Sequence, residues 1–291
     1  MLYSVVETSV PLETSTFDYD CANFYVNAIL VLITLVSVIC AYFAYRFQKQ
    51  RKRKETACDL AKFYADVIID KYAIVQNVLS NGIKDENIKS IFDFKQIKDF
   101  DEAELKRFLA KYSKDISMFR AKFYDIDPRV ILSAKIAYSP DIEKREMIAC
   151  SYVHYDPASK EGKLNVQMLR QDYISEVFSL LNQLEWFSMN CRYEVADEGL
   201  LYQSLHQTFL STIWKLYFYI AQANKSNEDK LYTNAIWLFL KWRNRLLQIQ
   251  DKTEKKRDKL NKKAEKKKRE AEKLKKKEES IQPPVHHGNS V

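Results

Sequence analysis

Metal binding, acid–base catalysis and nucleophilic attack need histidine, cysteine or carboxylate side chains that converge, and in this chain those residues are scattered. Four histidines occur, His154, His206, His286 and His287. A metal centre needs several deprotonated ligands on one point, and only the last two are neighbours, at a polar C-terminus that reads as tail. Five cysteines, Cys21, Cys40, Cys58, Cys150 and Cys191, are odd in number and never spaced C-x-x-C. They read as small buried thiols rather than disulfides or metal ligands. The patterns H-E-x-x-H, G-x-S-x-G and G-x-x-x-x-G-K-[ST] are absent, which leaves zinc hydrolase, serine hydrolase and P-loop readings without support. No catalytic residue, no metal and no cofactor is expected.

One polar cluster stands apart: Asn182, Glu185, Arg192, Glu194, Asp197 and Glu198. On a helix, Asn182, Glu185, Met189 and Arg192 follow a three, four, three rhythm and share a face, with Glu185 within two turns of Arg192. Buried charge demands a partner, so the first reading is a polar network that fixes how helices pack. A partner-binding surface is the second reading, and catalysis the last. Trp186, Trp214, Trp237 and Trp242 are read as core or helix-interface residues rather than base-stacking platforms.

The elements that must position this cluster are helical. With 46% hydrophobic and 13% aromatic residues the chain can build a packed core. Only four glycines occur, which disfavours phosphate-cradling loops and hairpin-rich all-β folds. The net charge of +8 is uneven: residues 1–23 carry −4, residues 46–54 carry +6, residues 251–279 carry +7, and the remainder only −1. The centre therefore has no basic excess with which to hold nucleic acid.

From Phe24 to Tyr45 the chain reads FYVNAILVLITLVSVICAYFAY, without an Asp, Glu, Lys, Arg or His. As a helix it measures roughly 33 Å, enough to span a hydrocarbon core of about 30 Å. Tyr25 at one end and Tyr42, Phe43 and Tyr45 at the other suit the interfacial aromatic belts. The acidic N-terminus and the length of the run favour a retained anchor over a cleaved signal peptide. Arg46, Lys49, Arg51, Lys52, Arg53 and Lys54 follow the run at once, and no Lys or Arg precedes it. The positive-inside rule then puts the short segment 1–23 outside and everything after the anchor in the cytoplasm, with the basic cluster at the membrane surface.

Residues 55–250 are expected to form a helical domain. Leu60, Tyr64, Val67, Ile68, Ile74, Val75, Val78 and Leu79 mark an amphipathic helix, ended by Ser80-Asn81-Gly82 with Gly82 as a left-handed cap. Asp101 and Glu104 form a capping box before Leu105, Phe108 and Leu109. Ser139-Pro140-Asp141 starts another helix, Ser139 capping it, that runs to about His154. Residues 129–138 fit helix or strand, and 156–162 read as a turn-rich loop. Three stripes then predict an antiparallel bundle. They are Val177, Leu181, Leu184, Cys191 and Val195; Phe209, Ile213, Leu216, Tyr217 and Ile220; and Ile236, Phe239, Leu240, Leu246 and Leu247. Residues 251–279 pair acid with base at i,i+4, Asp251 with Lys255, Asp258 with Lys262, Glu265 with Arg269 and Glu272 with Lys276, and are expected to form a solvated charged helix. Contact with anionic lipid or RNA is the alternative for that helix. Pro283-Pro284 ends it, and 280–291 is expected to be a disordered tail.

The segment LLNQLEWFSMNCRYEVADEGLLYQSLHQTFLSTIWKLYFYI, with LYTNAIWLFLKWRNRL after it, resembles an uncharacterised bacterial family of membrane-anchored cytoplasmic helical proteins. The family is marked by a Leu-Asn-x-x-Glu helix, an acidic turn and two further helices. The matching residues are Leu181, Asn182, Leu184 and Glu185, then Ala196, Asp197 and Glu198, and the likeness spans roughly residues 165–247. It implies an inner-membrane, single-pass organisation and no reaction. The expected fold is all-α: one transmembrane helix, a cytoplasmic helical bundle and a charged helical tail. The expected role is a non-enzymatic interaction or sensing module, partnered by membrane lipid and a cytosolic protein, with self-association as a homo-oligomer in view. A membrane-associated effector of phage defence is the alternative, by analogy of build.

Overall fold

The computed structural model describes residues 19–82, 91–111, 115–139, 141–156, 161–225 and 229–279. Residues 1–18 of the N-terminal segment, Pro140, and the tail from residue 280 with His286 and His287 lie outside them. The architecture is all-α with a single small hairpin among the described residues. The chain divides into two compact units between Lys54 and Glu55.

The first unit is the larger part of helix α1 (Tyr19–Phe63). Its large apolar side chains from Phe24 to Phe47 are all exposed. This helix is long and apolar enough to cross a membrane by length and composition. Its two hydroxyl residues turn inward on the backbone: Thr34 Oγ1 donates to Leu30 O and Ser37 Oγ to Ile33 O, both at 2.8 Å. Such back-bonding is what an apolar solvent requires, because it offers a hydroxyl no other partner.

The second unit begins on the last residues of α1, which pass through a π-turn (Tyr64–Ile68) into α2 (Ile69–Gly82). Tyr64, Ile68, Tyr72, Val75, Val78 and Leu79 are buried along it. Gly82 has no left-handed φ, contrary to the expected cap. A Cβ there would lie 2.6 Å from Ile126 Cγ2, so close approach to the core explains the glycine.

Short helices follow, each opened by an aspartate that accepts a backbone N–H. These are α3 (Glu102–Ala110, Asp101), α4 (Ile116–Tyr124, Asp115), α5 (Pro128–Ala137, Asp127) and α6 (Ile142–Ser151, Asp141). Residues 129–138 therefore belong to a helix, with Pro128 opening it. At α6 the cap is Asp141 and not Ser139, and the helix ends three residues before His154. The two ends of the expected loop 156–162 belong to an antiparallel pair, β1 (Val153–Asp156) with β2 (Glu161–Leu164), in register Val153 to Leu164.

Three longer helices complete the unit: α7 (Val166–Arg192), α8 (Glu198–Lys215) continued by α9 (Tyr217–Ala223), and α10 (Thr233–Glu279). One ring contact and one hydroxyl pair fix their directions. Phe187 meets Phe209 and Tyr173 meets Tyr219, so α7 and α8–α9 are antiparallel. The core between them is aromatic, with Tyr64, Phe187, Phe209 and Trp242 fully buried. Val195, expected on the first buried stripe, is 49% exposed, because α7 ends at Arg192 and the chain turns there.

Cys191 is buried but Cys40, Cys58 and Cys150 are exposed, and all four are free thiols. Cys58 and Cys150 thus depart from the expected burial. Cys40 faces out with the rest of the apolar run, while Cys58 and Cys150 lie on the outer sides of their helices.

Candidate functional site

The acidic cluster is brought together at the junction of α7, α8 and α10, although not in the pairing that helical spacing suggests. Glu185 does not meet Arg192. Its carboxylate lies at the N-terminus of α10, accepting from Asn234 N at 3.0 Å, Ala235 N at 2.8 Å and Asn234 Nδ2 at 2.7 Å. The first N–H groups of a helix have no intrahelical acceptor and carry the positive end of its dipole. A glutamate from a neighbouring helix satisfies both needs. Arg192 reaches the same residue from the other side, donating to Asn234 Oδ1 at 3.1 Å, and stands 5.9 Å from the Trp237 ring. Asn234 is thus the shared partner that spacing along α7 cannot reveal.

Glu198, in the first turn of α8, accepts from Trp242 Nε1 at 2.7 Å and pairs with Lys241 at 2.8 Å. Asp197 caps α8 by accepting from Leu200 N at 3.2 Å. Glu194 occupies the left-handed region with φ of 56° and closes the turn after α7. Asn182 is exposed and has no hydrogen bond or ion pair among the described residues, so it leaves the group. Burial, with the Glu198 charge adding to it, pushes the nearby Cys191 thiol up to about 12. A thiol so placed stays protonated and is no nucleophile.

A second network surrounds Glu104, 3% exposed. Asp101 accepts from Glu104 N at 2.8 Å, as the capping box predicts. The Glu104 carboxylate, however, reaches past the cap to Lys98 N, Asp99 N and Phe100 N at 2.7, 3.1 and 2.9 Å, and accepts from Tyr217 OH at 3.0 Å. Burial, then the Glu104 charge, pushes the Tyr217 hydroxyl far above its ordinary value. The carbonyls of the same irregular segment are taken by Trp214 Nε1 on Phe92 O at 2.7 Å, Asn224 Nδ2 on Phe100 O at 3.1 Å, and Arg243 Nη1 on Phe94 O and Ile97 O. Arg243 escaped the sequence reading because the surrounding Lys-Trp-Arg-Asn-Arg run looks solvated. Its position one residue after the buried Trp242 was the available signal.

A third group joins α5, α7 and Tyr152. Lys135 Nζ lies 2.6 Å from Glu176, and Tyr152 OH donates to Asp172 at 2.6 Å. Burial pulls Lys135 down, but the hydrogen bond and charge of Glu176 outweigh it and hold the ammonium above its ordinary value.

His154 lies on β1, exposed, and His206 stacks on Tyr202 at 4.5 Å. Among the described residues no three His, Cys, Asp or Glu side chains are grouped to hold a metal ion. Arg46, Lys49, Arg51, Lys52 and Lys54 are exposed on α1, with Arg53 half-buried. Of the predicted tail pairs, Asp251–Lys255, Asp258–Lys262 and Glu265–Arg269 form no ion pair; Lys266 meets Glu270 at 4.0 Å instead. Solvated long side chains gain too little from pairing to hold one geometry.

Fold and site together define a helical bundle carried on a chain whose first described helix is long and apolar enough to cross a membrane. No family model, no curated protein and no solved structure matches this chain.

Proposed function

We propose that the chain is a non-enzymatic interaction module, held on the cytoplasmic side of a bacterial inner membrane by α1 with its N-terminus outside. One observation carries this reading. Glu185, Glu104, Lys135, Glu176 and Glu198 are committed to helix ends, loop backbone or side-chain pairs, while Trp186 and Met189 on α7 and Tyr193 at its C-terminal cap are exposed at 45%, 38% and 66%. Trp186 spends one edge on the Phe63 ring at 5.0 Å, but much of its surface and that of Met189 and Tyr193 stays open, and exposed aromatic and methionine side chains are the usual anchors of protein contacts. The occupant is a cytosolic protein.

The test is photo-crosslinking in cells, with a reactive amino acid placed in turn at Trp186, Met189 and Tyr193 of the full-length chain. A single adduct of one mass at all three positions, absent from a probe at exposed Glu146 and abolished by Met189→Glu at unchanged expression, is the expected result. An adduct of twice the chain's mass makes the occupant a second copy. Lipid adducts alone, or none, would overturn the proposal.

A further inference from the structure

The tail is more ordered in charge than its composition suggests. From Gln248 to Lys273 every side chain of α10 is exposed. At about 100° per residue, Lys252, Lys255, Lys259, Lys262, Lys266 and Lys273 fall within an arc of roughly 80°. Lys256, Lys263 and Lys267 widen the same face on one side. The acids Asp251, Glu254, Asp258, Glu265 and Glu272 gather in a separate stripe that Arg269 shares and Arg257 and Lys268 border, and Glu270 interrupts the lysine face. Five acids thus lie off the lysine face and one, Glu270, lies on it beside Lys266, so that face keeps a net basic field.

The direction of this helix follows from contacts within the second unit. Phe63, Tyr64 and Lys71 meet Trp186, Phe187 and Ser179 in turn, so the chain from Glu55 runs antiparallel to α7. The start of α10 lies on Glu185, and its later residues Lys241 and Arg245 lie on Glu198 and Tyr202 at the beginning of α8. Helix α10 is therefore parallel to α7. Its exposed extension leaves the bundle at the end where Glu55 enters. Only nine residues lie between Tyr45, the last of the apolar run, and Glu55, a reach of at most about 35 Å. The 29 residues from Asp251 to Glu279 extend roughly 43 Å as a helix.

We infer that the lysine face of residues 252–273 is a docking surface for anionic phospholipid headgroups, along which α10 lies on the same bilayer that holds α1. The inference rests on the anchored reading above. Charge complementarity chooses the occupant: a juxtamembrane lysine face meets a negative leaflet, and residues 251–279 contain no aromatic side chain on which an unpaired base could stack.

The experiment uses the full-length protein in vesicles, with a donor fluorophore on Ala264→Cys in a variant lacking the five native cysteines and an acceptor on the lipid headgroups. Energy transfer should be higher in vesicles with roughly 30 mol% phosphatidylserine than in pure phosphatidylcholine, and should fall as salt is raised. Charge reversal of Lys252, Lys255, Lys259 and Lys262 should remove the difference, the anionic preference dropping roughly fivefold for each lysine lost. The Glu254→Gln/Glu265→Gln variant should increase it. Equal transfer in both vesicles, or an unchanged response after lysine reversal, overturns the inference. So does capture of the tail by added RNA in preference to anionic vesicles. Flotation with neutral vesicles separates the two readings: a chain that does not float has no anchor, whereas one that floats without a phosphatidylserine response keeps its anchor and lacks this surface.

Discussion

Glu185 shows how much of a side chain's role depends on what another helix brings to it. It accepts three hydrogen bonds at the start of α10, and no sequence neighbour of Glu185 supplies any of them. Charge-assisted bonds at a helix N-terminus are the stronger kind. Glu185→Ala should therefore cost about 2 kcal/mol and lower the melting temperature by roughly 4–8 °C, read by circular dichroism of the full chain in detergent. Glu185→Gln, which keeps one acceptor oxygen, should lose less. A variant melting with the parent would remove Glu185 from the architecture. The buried hydroxyls of Tyr64, Tyr173, Tyr217 and Tyr219 are all pushed above their ordinary value of 10.0, in each case chiefly by burial. In the unfolded chain they ionise near pH 10, so above that pH the unfolded state sheds protons that the folded state keeps. Their contribution to stability is full below pH 10 and is lost as pH rises beyond it. Absorbance titration should show exposed tyrosines ionising first and these four only as the helical signal collapses. Complete tyrosine ionisation near pH 10 with helicity intact would contradict this.

At the level of the element, a helix start was legible at Asp101, where an aspartate precedes an apolar run, and roughly at Ser139–Asp141, although there the cap is Asp141 and not the serine. One was missed where the periodicity was weak: Asp127-Pro128 carries a cap and a first-turn proline, yet the loose alternation of 129–138 obscured it. Gly82 is the opposite case, since its residue type was read as a cap and its cause is an approach to Ile126, 2% exposed. Only packing against a distant loop can impose such a demand. Gly82→Ala, which on helix propensity alone would gain up to about 1 kcal/mol, is expected instead to destabilise by about 1–2 kcal/mol through overpacking. Adding Ile126→Ala should make the double variant less destabilised than the sum of the two single variants. Additive losses would show that the two side chains do not compete for space.

For the whole molecule, the apolar run and the basic cluster after it make topology the property to measure. Cys21 precedes the run and Cys150 lies exposed in the second unit, so single-cysteine variants can report both sides. An impermeant maleimide added to intact spheroplasts should label Cys21 at once and Cys150 only after permeabilisation. The reverse pattern would invert the chain in the membrane. The amino-acid sequence by itself determined the apolar helix, its flanking charge, the helical class and the start at Asp101. Each depends on neighbours within a turn or two, or on a solvent that acts on every residue alike. The tertiary structure alone decided that Glu185 holds α10 rather than Arg192, that Glu104 and Arg243 secure an irregular segment more than a hundred residues from Arg243, and that the tail departs at the end of the bundle where Glu55 enters. Those outcomes depend on which orphan backbone groups and which helix ends the fold brings within hydrogen-bond reach, and separation along the chain carries no record of that.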